Sequence, residues 1–474
     1  METIEKQYTS PKDILEDGVK FMEAGEYNKA LIAFNTLLNY HGDDSLFLFY
    51  LGSVHMRLGN DGLAKVLLKC AIAKREEFPE AWNNLGFCYH SRGEYKDAQQ
   101  CFERAIQIEP DNADLLNNIA SIYVNNGTPQ ECINWCEKAL KIKPDHQNAI
   151  WNLGLAHLEL GHWEEGFKGY RAGMHEAVGN RKKRNYHNDK ETPEWEGTAG
   201  KSVVVYGEQG LGDEIMFASI IPDAARDARI IFDCHPRLQN IFQQSFPDIP
   251  IYGTRKENII FWPQWEKIDG CIHIGNLGGL YRKKDSDFPK TAYLKSDPWL
   301  TQYYQEKLEK LGNGKANIVI HWKGGTLKTN RDYRSMPLEN MSEIILNNSD
   351  KANFISLQYT PGAAESVAQF NEKHGTSVHH WQSTVDDIDD VAAVLANADL
   401  VISVCTAIVH LSGAMGIDCW CLCPSRPAWR YGVAGDMPWY GKNIRMFRQT
   451  GDTWETVLND VDANLKEYLE KKSC

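Results

Sequence analysis

The sequence predicts two architectures in series: an α-helical solenoid over residues 1–180 and, after a linker at 181–200, an α/β region. The α/β region divides into two doubly wound halves, 201–296 and 315–474, joined by a helix at 297–314. Three observations carry this. Glycine recurs at Gly25, Gly59, Gly93, Gly127 and Gly161, a period of 34 residues. Beyond residue 200 that period stops, and short apolar runs separated by helical stretches take over: KSVVVYG, ARIIFDC, GCIHIG, ANIVIHW, NFISLQY, DLVISV and CWCLCP. Finally, 474 residues exceed one ordinary core, while 42% apolar and 24% charged residues are a globular balance.

The repeats are explicit in AWNNLGFCYHSRGEYKDAQQCFERAIQIEPDN. There Trp82, Leu85, Gly86, Tyr89, Gly93, Tyr95, Ala98, Phe102, Ala105 and Pro110 fall at the spacings of a tetratricopeptide repeat. One register gives five of them, 11–44, 45–78, 79–112, 113–146 and 147–180, with the small residue of the second helix at Ala30, Ala64, Ala98, Cys132 and Gly166. Small residues let paired helices approach, and each pair buries its apolar face only by stacking on the next. Cys132 and Cys136, four apart at core positions, read as packing. A solenoid groove of this kind takes a protein or peptide partner, or else packs against its own chain.

A net charge of −13 disfavours a general nucleic-acid or membrane-surface binder, since both reward a basic face. The basic run from Arg181 to Arg184 reads as solvated linker. METIEKQYTSPKD lacks the apolar core of a signal peptide, and no apolar run has membrane-spanning length, so the expected compartment is the cytoplasm. The 12 cysteines have no disulfide-framework spacing. Cys419, Cys421 and Cys423 alternate within an apolar run, which puts them on one face of a strand rather than around a metal.

KSVVVYGEQGLGDEIMFAS opens the first α/β half as a strand, a glycine-rich turn and a helix. Gly207, Gly210 and Gly212 lack the G-x-G-x-x-G spacing, and Glu208, Asp213 and Glu214 stand where a pyrophosphate would sit. The turn therefore suits something other than phosphate. The second half carries the better phosphate site, in ADLVISVCTAIVHLSGAMG. A strand ends at Val404, Cys405, Thr406 and Ala407 make a short turn, and the next helix presents free backbone N–H groups to the crevice at the strand's carboxyl edge. Thr406 can donate its hydroxyl there; His410, one turn on, is either a further anion ligand or a core histidine.

GEQGLGDEIMFAS, IHWKGGTLKTNRDYRSMPLENM, FISLQYTPGAAE, VISVCTAIVHLSGAMG and MPWYGKNIRMFRQ together resemble the tetratricopeptide proteins fused to a glycosyltransferase domain of the lipopolysaccharide heptosyltransferase superfamily, glycosyltransferase family 9-like, over nearly the whole chain. The resemblance implies a GT-B fold of two Rossmann-like halves, acceptor on the first and nucleotide-sugar diphosphate on the second. It implies Asp213 as catalytic base; a helix-capping role fits the same aspartate. Glu208 and Glu214 are the other carboxylates of that acceptor-side turn, whose Gly210 and Gly212 permit close approach. Arg334 matches the family's phosphate ligand and Gln358 its nucleoside contact. Thr406, Ala407 and His410 match the phosphate turn, in which Cys405 replaces the family's acid. Lys323 and Lys328 are additional cations of the donor segment, or surface lysines.

The expected activity is transfer of a sugar, with inversion, from a nucleotide-diphosphate sugar to a hydroxyl, on a protein recruited by the repeats. No cofactor or metal is called for, since the helix end and Arg334 can neutralise the leaving diphosphate. The D-x-D triplet of Asp285 and Asp287 is a minor alternative for a metal. Competing expectations are a glycan, lipid-linked sugar or modified DNA acceptor with the repeats as scaffold, and an inactive repeat-based adaptor.

Overall fold

The computed structural model describes residues 10–41, 44–178, 183–186, 191–257, 268–311, 314–325, 331–451 and 453–472. Two compact units make up the chain, Met1–Leu153 and Gly154–Cys474.

The first unit is a ladder of antiparallel helix pairs: α1 (Pro11–Glu23) with α2 (Tyr27–His41), α3 (Ser45–Arg57) with α4 (Asp61–Lys74), α5 (Pro79–His90) with α6 (Tyr95–Ile108), and α7 (Ala113–Asn126) with α8 (Pro129–Ile142). The 34-residue glycine ends the first helix of each pair in the left-handed region, with φ of 74° at Gly25 and 78° at Gly59, where a side chain would be strained. In two pairs the glycine of the first helix faces an aromatic of the second: a Cβ on Gly18 would lie 2.4 Å from Phe34 Cε1, and one on Gly86 2.6 Å from Phe102 Cε1. Phe102 is fully buried with Ala98, Ile119 and Ile122, so each pair completes its core only on its neighbour.

The fifth pair is divided. The unit boundary falls inside α9 (Gln147–Glu159), and α10 (Trp163–Tyr170) belongs wholly to the second unit. The reason lies in its aromatic stripe. Trp163, Phe167 and Tyr170 are spaced four and three apart, on one helical face. A Cβ on Gly278 would sit 2.2 Å from Phe167 Cε1, and Trp163 lies 4.8 Å from the Phe288 ring and 6.4 Å from Trp439.

The second unit holds two all-parallel sheets. The first uses β1 (Ser202–Tyr206), β2 (Arg229–Asp233), β3 (Ile251–Tyr252) and β4 (Gly270–His273) in the order β3-β2-β1-β4. Between and after these strands come α11 (Leu211–Ala218), α12 (Ile221–Asp227), α13 (Gln239–Ser245) and α14 (Gly278–Tyr281), and α15 (Pro298–Glu309) leads on. The second sheet uses β5 (Ala316–His321), β6 (Ala352–Ser356), β7 (His379–His380), β8 (Leu400–Val404), β9 (Cys419–Cys423) and β10 (Ile444–Arg448), ordered β10-β9-β8-β5-β6-β7. Its helices are α16 (Ser342–Asn348), α17 (Ala363–His374), α18 (Gln382–Val385), α19 (Ile388–Ala396), α20 (Ala407–Met415) and α21 (Glu455–Lys472).

Both halves are Rossmann-like. Counted within its own half, each sheet runs 3-2-1-4, and the second continues 5-6, so the direction of winding reverses next to the first strand. Crevices therefore open at the carboxyl ends of β1 and β4 in one half and of β5 and β8 in the other. The seven apolar runs are strands because each is buried on both faces: β8 and β9 are buried throughout. Among the described residues no helix is long and apolar enough to cross a membrane.

Candidate functional site

The two switch points meet. Helix α11 starts at the end of the β1 turn and α20 at the end of the β8 turn, and they approach through Gly212, where a Cβ would lie 3.0 Å from His410 Cδ2 and 3.3 Å from Ala407 Cα. Two helix N-termini thus come together, each with a partial positive charge.

Of the three carboxylates expected in the turn after β1, only Glu208 lies there, because α11 already begins at Leu211 and takes Asp213 and Glu214 into its first turn; the three have different surroundings. Glu214 is fully buried behind the turn, where it accepts from the His235 N–H at 2.6 Å and pairs with Arg255 Nε at 3.2 Å. Burial pushes its carboxyl up to about 8 against the pull of Arg255. Gly207 is required beside it, because a Cβ there would meet Oε2 at 2.2 Å. Glu208 is also buried; it accepts from the Tyr170 hydroxyl at 2.8 Å and lies 3.7 Å from His273 Nδ1. Both are fixed within this half of the unit and α10.

Asp213 alone reaches across the cleft. Its carboxylate folds back over Gly210, where a Cβ would stand 2.7 Å from Oδ2, and pairs with the Arg430 guanidinium of the loop after β9. Asp213 therefore sits over the start of α11, as a capping residue would, but spends its charge on the opposite half. Burial raises its carboxyl pKa, while Arg430 and then Arg334 pull it down and Glu208 pushes it up.

On the second half the Gly324 loop after β5 closes over Thr406, since a Cβ on Gly324 would lie 2.2 Å from Thr406 Cγ2. Thr406 caps α20, accepting from the Ile408 N–H at 3.3 Å. Arg334 Nη1 donates to the Cys405 carbonyl at 3.1 Å. The Cys405 thiol points the other way, 3.7 Å from Cys421 Sγ in the core, and burial pushes its pKa well up. Cys405 thus presents its backbone to the cleft, whatever its side chain.

Gln358 is fully buried and its amide is spent on the same loop. Oε1 accepts from the N–H groups of Trp322 at 3.2 Å and Lys323 at 2.9 Å, and Nε2 donates to the Lys323 carbonyl at 2.7 Å. That makes Gln358 a positioning residue for the loop rather than a surface for a nucleoside. Lys323 is half-buried at the mouth of a cavity of about 570 Å³ that Trp322, Ser335, Pro337, Thr360 and Ala363 also line. Lys328 lies outside the described residues.

His410 is a core histidine in this arrangement: 2% exposed, with Nδ1 3.0 Å from the Tyr440 hydroxyl and Nε2 3.2 Å from that of Tyr431. Burial, Arg430 and Arg334 hold its pKa well below the usual imidazole range, so it is neutral. Asp285 accepts from Trp163 Nε1 at 2.7 Å, and Asp287 from the N–H groups of Lys283 and Lys284, which gives both structural duties. Among the described residues no group of three or more His, Cys, Asp or Glu is arranged to hold a metal.

Sequence reasoning missed Arg430, Tyr431, Tyr440, Tyr170 and His321. The available signal for the first two was AWRYG in the segment that follows the CWCLC strand, at the carboxyl edge where open α/β sheets bind. Arg448 of β10 fixes that loop by donating to the carbonyls of Tyr431 at 2.6 Å and Gly432 at 3.0 Å. His321 ends β5 and is fully buried, and neither of its ring nitrogens has a hydrogen-bond partner among the described residues. Its Cε1, between those nitrogens, lies 3.5 Å from the Cβ position of Gly324, so this edge faces the space beside Thr406.

Comparison with known proteins identifies the repeats. Family models described as tetratricopeptide repeat match residues 79–112 and 101–134. Protein FlbA of Caulobacter vibrioides is 30% identical over 288 residues, 57% of this chain and 47% of FlbA. The auxiliary subunit NAA15 of the N-terminal acetyltransferase A complex of Arabidopsis thaliana is 29% identical over 98 residues, 21% of this chain and 11% of NAA15. The chain thus spans less than half the length of either relative. Among solved structures, MamA protein matches with a TM-score of 0.31 and 24% identity, covering 35% of this chain and 90% of that one. A thermophilic tetratricopeptide-repeat protein of Thermus thermophilus matches with a TM-score of 0.32 and 21% identity, over 35% of this chain and 92% of that one. The helices within residues 79–134 are tetratricopeptide repeats.

Proposed function

We propose that the Gly154–Cys474 unit is a glycosyltransferase of GT-B type that moves a sugar from a nucleotide-diphosphate sugar to an acceptor hydroxyl with inversion. The observation that carries this reading is the pairing of a carboxylate of the first half, Asp213, with a cation of the second, Arg430, with Arg334 acting on the same carboxylate and holding the turn that opens α20. The acceptor oxygen attacks the anomeric carbon and Asp213 takes its proton. The bond from that carbon to the diphosphate oxygen breaks, and its electron pair leaves on the diphosphate. Arg334, the Thr406 hydroxyl and the N–H groups opening α20 at Ala407 stabilise the leaving charge, which needs no metal in this scheme. Lys323 stands at the mouth of the neighbouring cavity, and Gln358 holds its backbone.

A protein is the acceptor this reading favours. Asn84, Asn118 and Asn152 occupy one position of three successive repeats, and their side-chain amides donate to Ser53 Oγ at 2.8 Å, Asn83 Oδ1 at 2.8 Å and Asn117 Oδ1 at 3.0 Å. Each of these donations uses one of two amide hydrogens, and a row of amides suits a polypeptide backbone.

Thermal unfolding with UDP, GDP, CDP and ADP tests the donor site. A diphosphate present at 100 times its Kd stabilises the binding state by about 2.7 kcal/mol. A shift with one of them, and a ~10²–10⁴-fold loss of sugar transfer in Asp213→Asn, are expected. The family models match only repeats, which is what an inactive adaptor would also give; no shift with any diphosphate would favour that second reading.

A further inference from the structure

We propose that Arg430 is an exchangeable cation: in the empty protein it is held by Asp213, and an arriving diphosphate takes it over, leaving Asp213 free to accept a proton. This rests on the transferase reading and adds an order to it, donor before deprotonation.

Arg430 is anchored to move only at its tip. Arg448 fixes the backbone on its C-terminal side, and the Trp429 ring beside it packs 5.7 Å from Tyr170 and 6.2 Å from Phe217. Its guanidinium is largely buried, 18% exposed against 24% for Asp213, and their pairing is a charged tie between the two halves. The groups around Asp213 are Arg430, Arg334 and Glu208, with neutral His410 behind Gly212 and the Tyr440 and Tyr431 hydroxyls beyond. Glu208 is already engaged by Tyr170, so Asp213 is the carboxylate that Arg430 neutralises.

A carboxylate bound to a guanidinium is a poor base, because the pair stabilises its charged form. A diphosphate brings more charge and an oxygen pair that a guanidinium fork binds well, and the N-terminus of α20 already favours an anion. Once Arg430 turns to it, burial and Glu208 raise Asp213 against Arg334 alone, and the carboxylate becomes more basic when the sugar is in place. The acceptor proton then passes to Asp213, while the electron pair of the breaking bond goes to a diphosphate now held by Arg334 and Arg430 together.

Competition for one cation makes a prediction that simple proximity does not. Titration calorimetry of the full chain with UDP, GDP, CDP, ADP and inorganic pyrophosphate is the test, on wild type, Asp213→Asn, Arg430→Ala and the double variant. The expected result is ~10-fold tighter binding in Asp213→Asn, ~10-fold or more weaker binding in Arg430→Ala, and less than ~2-fold effect of Asp213→Asn once Arg430 is gone. Arg430→Gln, which keeps most of the volume, repeats the cycle if the alanine variant does not fold. Equal tightening by Asp213→Asn with and without Arg430 would mean plain charge repulsion and overturn the exchange, as would unchanged affinity in Asp213→Asn. No binding of any of the five by wild type would instead remove the donor site itself, and the exchange with it.

Discussion

Gly212 and His410 hold the two α/β halves together by the absence of a side chain: the position of a Cβ on the glycine is 3.0 Å from the imidazole Cδ2. The histidine cannot retreat, since both its nitrogens face tyrosine hydroxyls. Gly212→Val should therefore push α11 from α20, costing about 1–3 kcal/mol by overpacking. Chemical denaturation measures it; wild-type stability would mean that the helices slide apart without loss.

Gln358 acts through the loop it holds. Gln358→Ala orphans the N–H groups of Trp322 and Lys323 and removes the donor to the Lys323 carbonyl. The expected cost is about 2–3 kcal/mol for the buried groups, together with weaker nucleoside diphosphate binding although the glutamine is fully buried. Titration calorimetry on the variant checks the second part, and wild-type affinity would separate the loop from the site.

Acid should remove the stability that the buried neutral histidines of the second unit contribute, while the raised carboxyl of Glu214 acts in the opposite direction. Burial lowers the pKa of His321 to about 3 and that of His235 to about 4. The unfolded chain, with imidazoles near 6.5, binds more protons than the native state below that pH, so stability present above about 6.5 is lost as pH falls toward 3–4. His321→Phe removes one of these groups. Relative to wild type it should gain about 2–3 kcal/mol on going from pH 7 to pH 4.5, read from urea unfolding at the two pH values. Parallel curves would show that His321 is protonated at little cost.

The aromatic stripe of α10 makes this helix part of the α/β fold. A chain of residues 154–474 should unfold cooperatively, whereas residues 181–474 should expose the surfaces around Gly278, Phe217, Phe288 and Trp439 that Trp163 and Phe167 cover. Circular dichroism melts and binding of an apolar dye distinguish the two. Equal melting temperatures would return α10 to the repeats.

Local periodicity made much of this protein legible. The 34-residue glycine, the small-against-large pairing of Gly86 with Phe102 and the strand runs around Val203, Ile318 and Val401 are short-range patterns, dictated by how one helix or strand must bury its own face. The same reading put Asp213 and Thr406 at turns on the carboxyl edges of strands, because strand, turn and helix follow one another in the chain.

Only the tertiary structure decided what those turns do. Asp213 and Arg430 are 217 positions apart in sequence, and no local pattern encodes that they pair. Glu208 and Glu214 looked equivalent to Asp213 in sequence, but Tyr170 and Arg255 engage them where they are buried. His410 sits at a helix start suited to an anion, yet two tyrosines of the segment between β9 and β10 claim its nitrogens. Burial and partner choice depend on which elements are brought face to face, and here sheets wound in the 3-2-1-4 order bring the ends of β1, β5, β8 and β9 to one cleft.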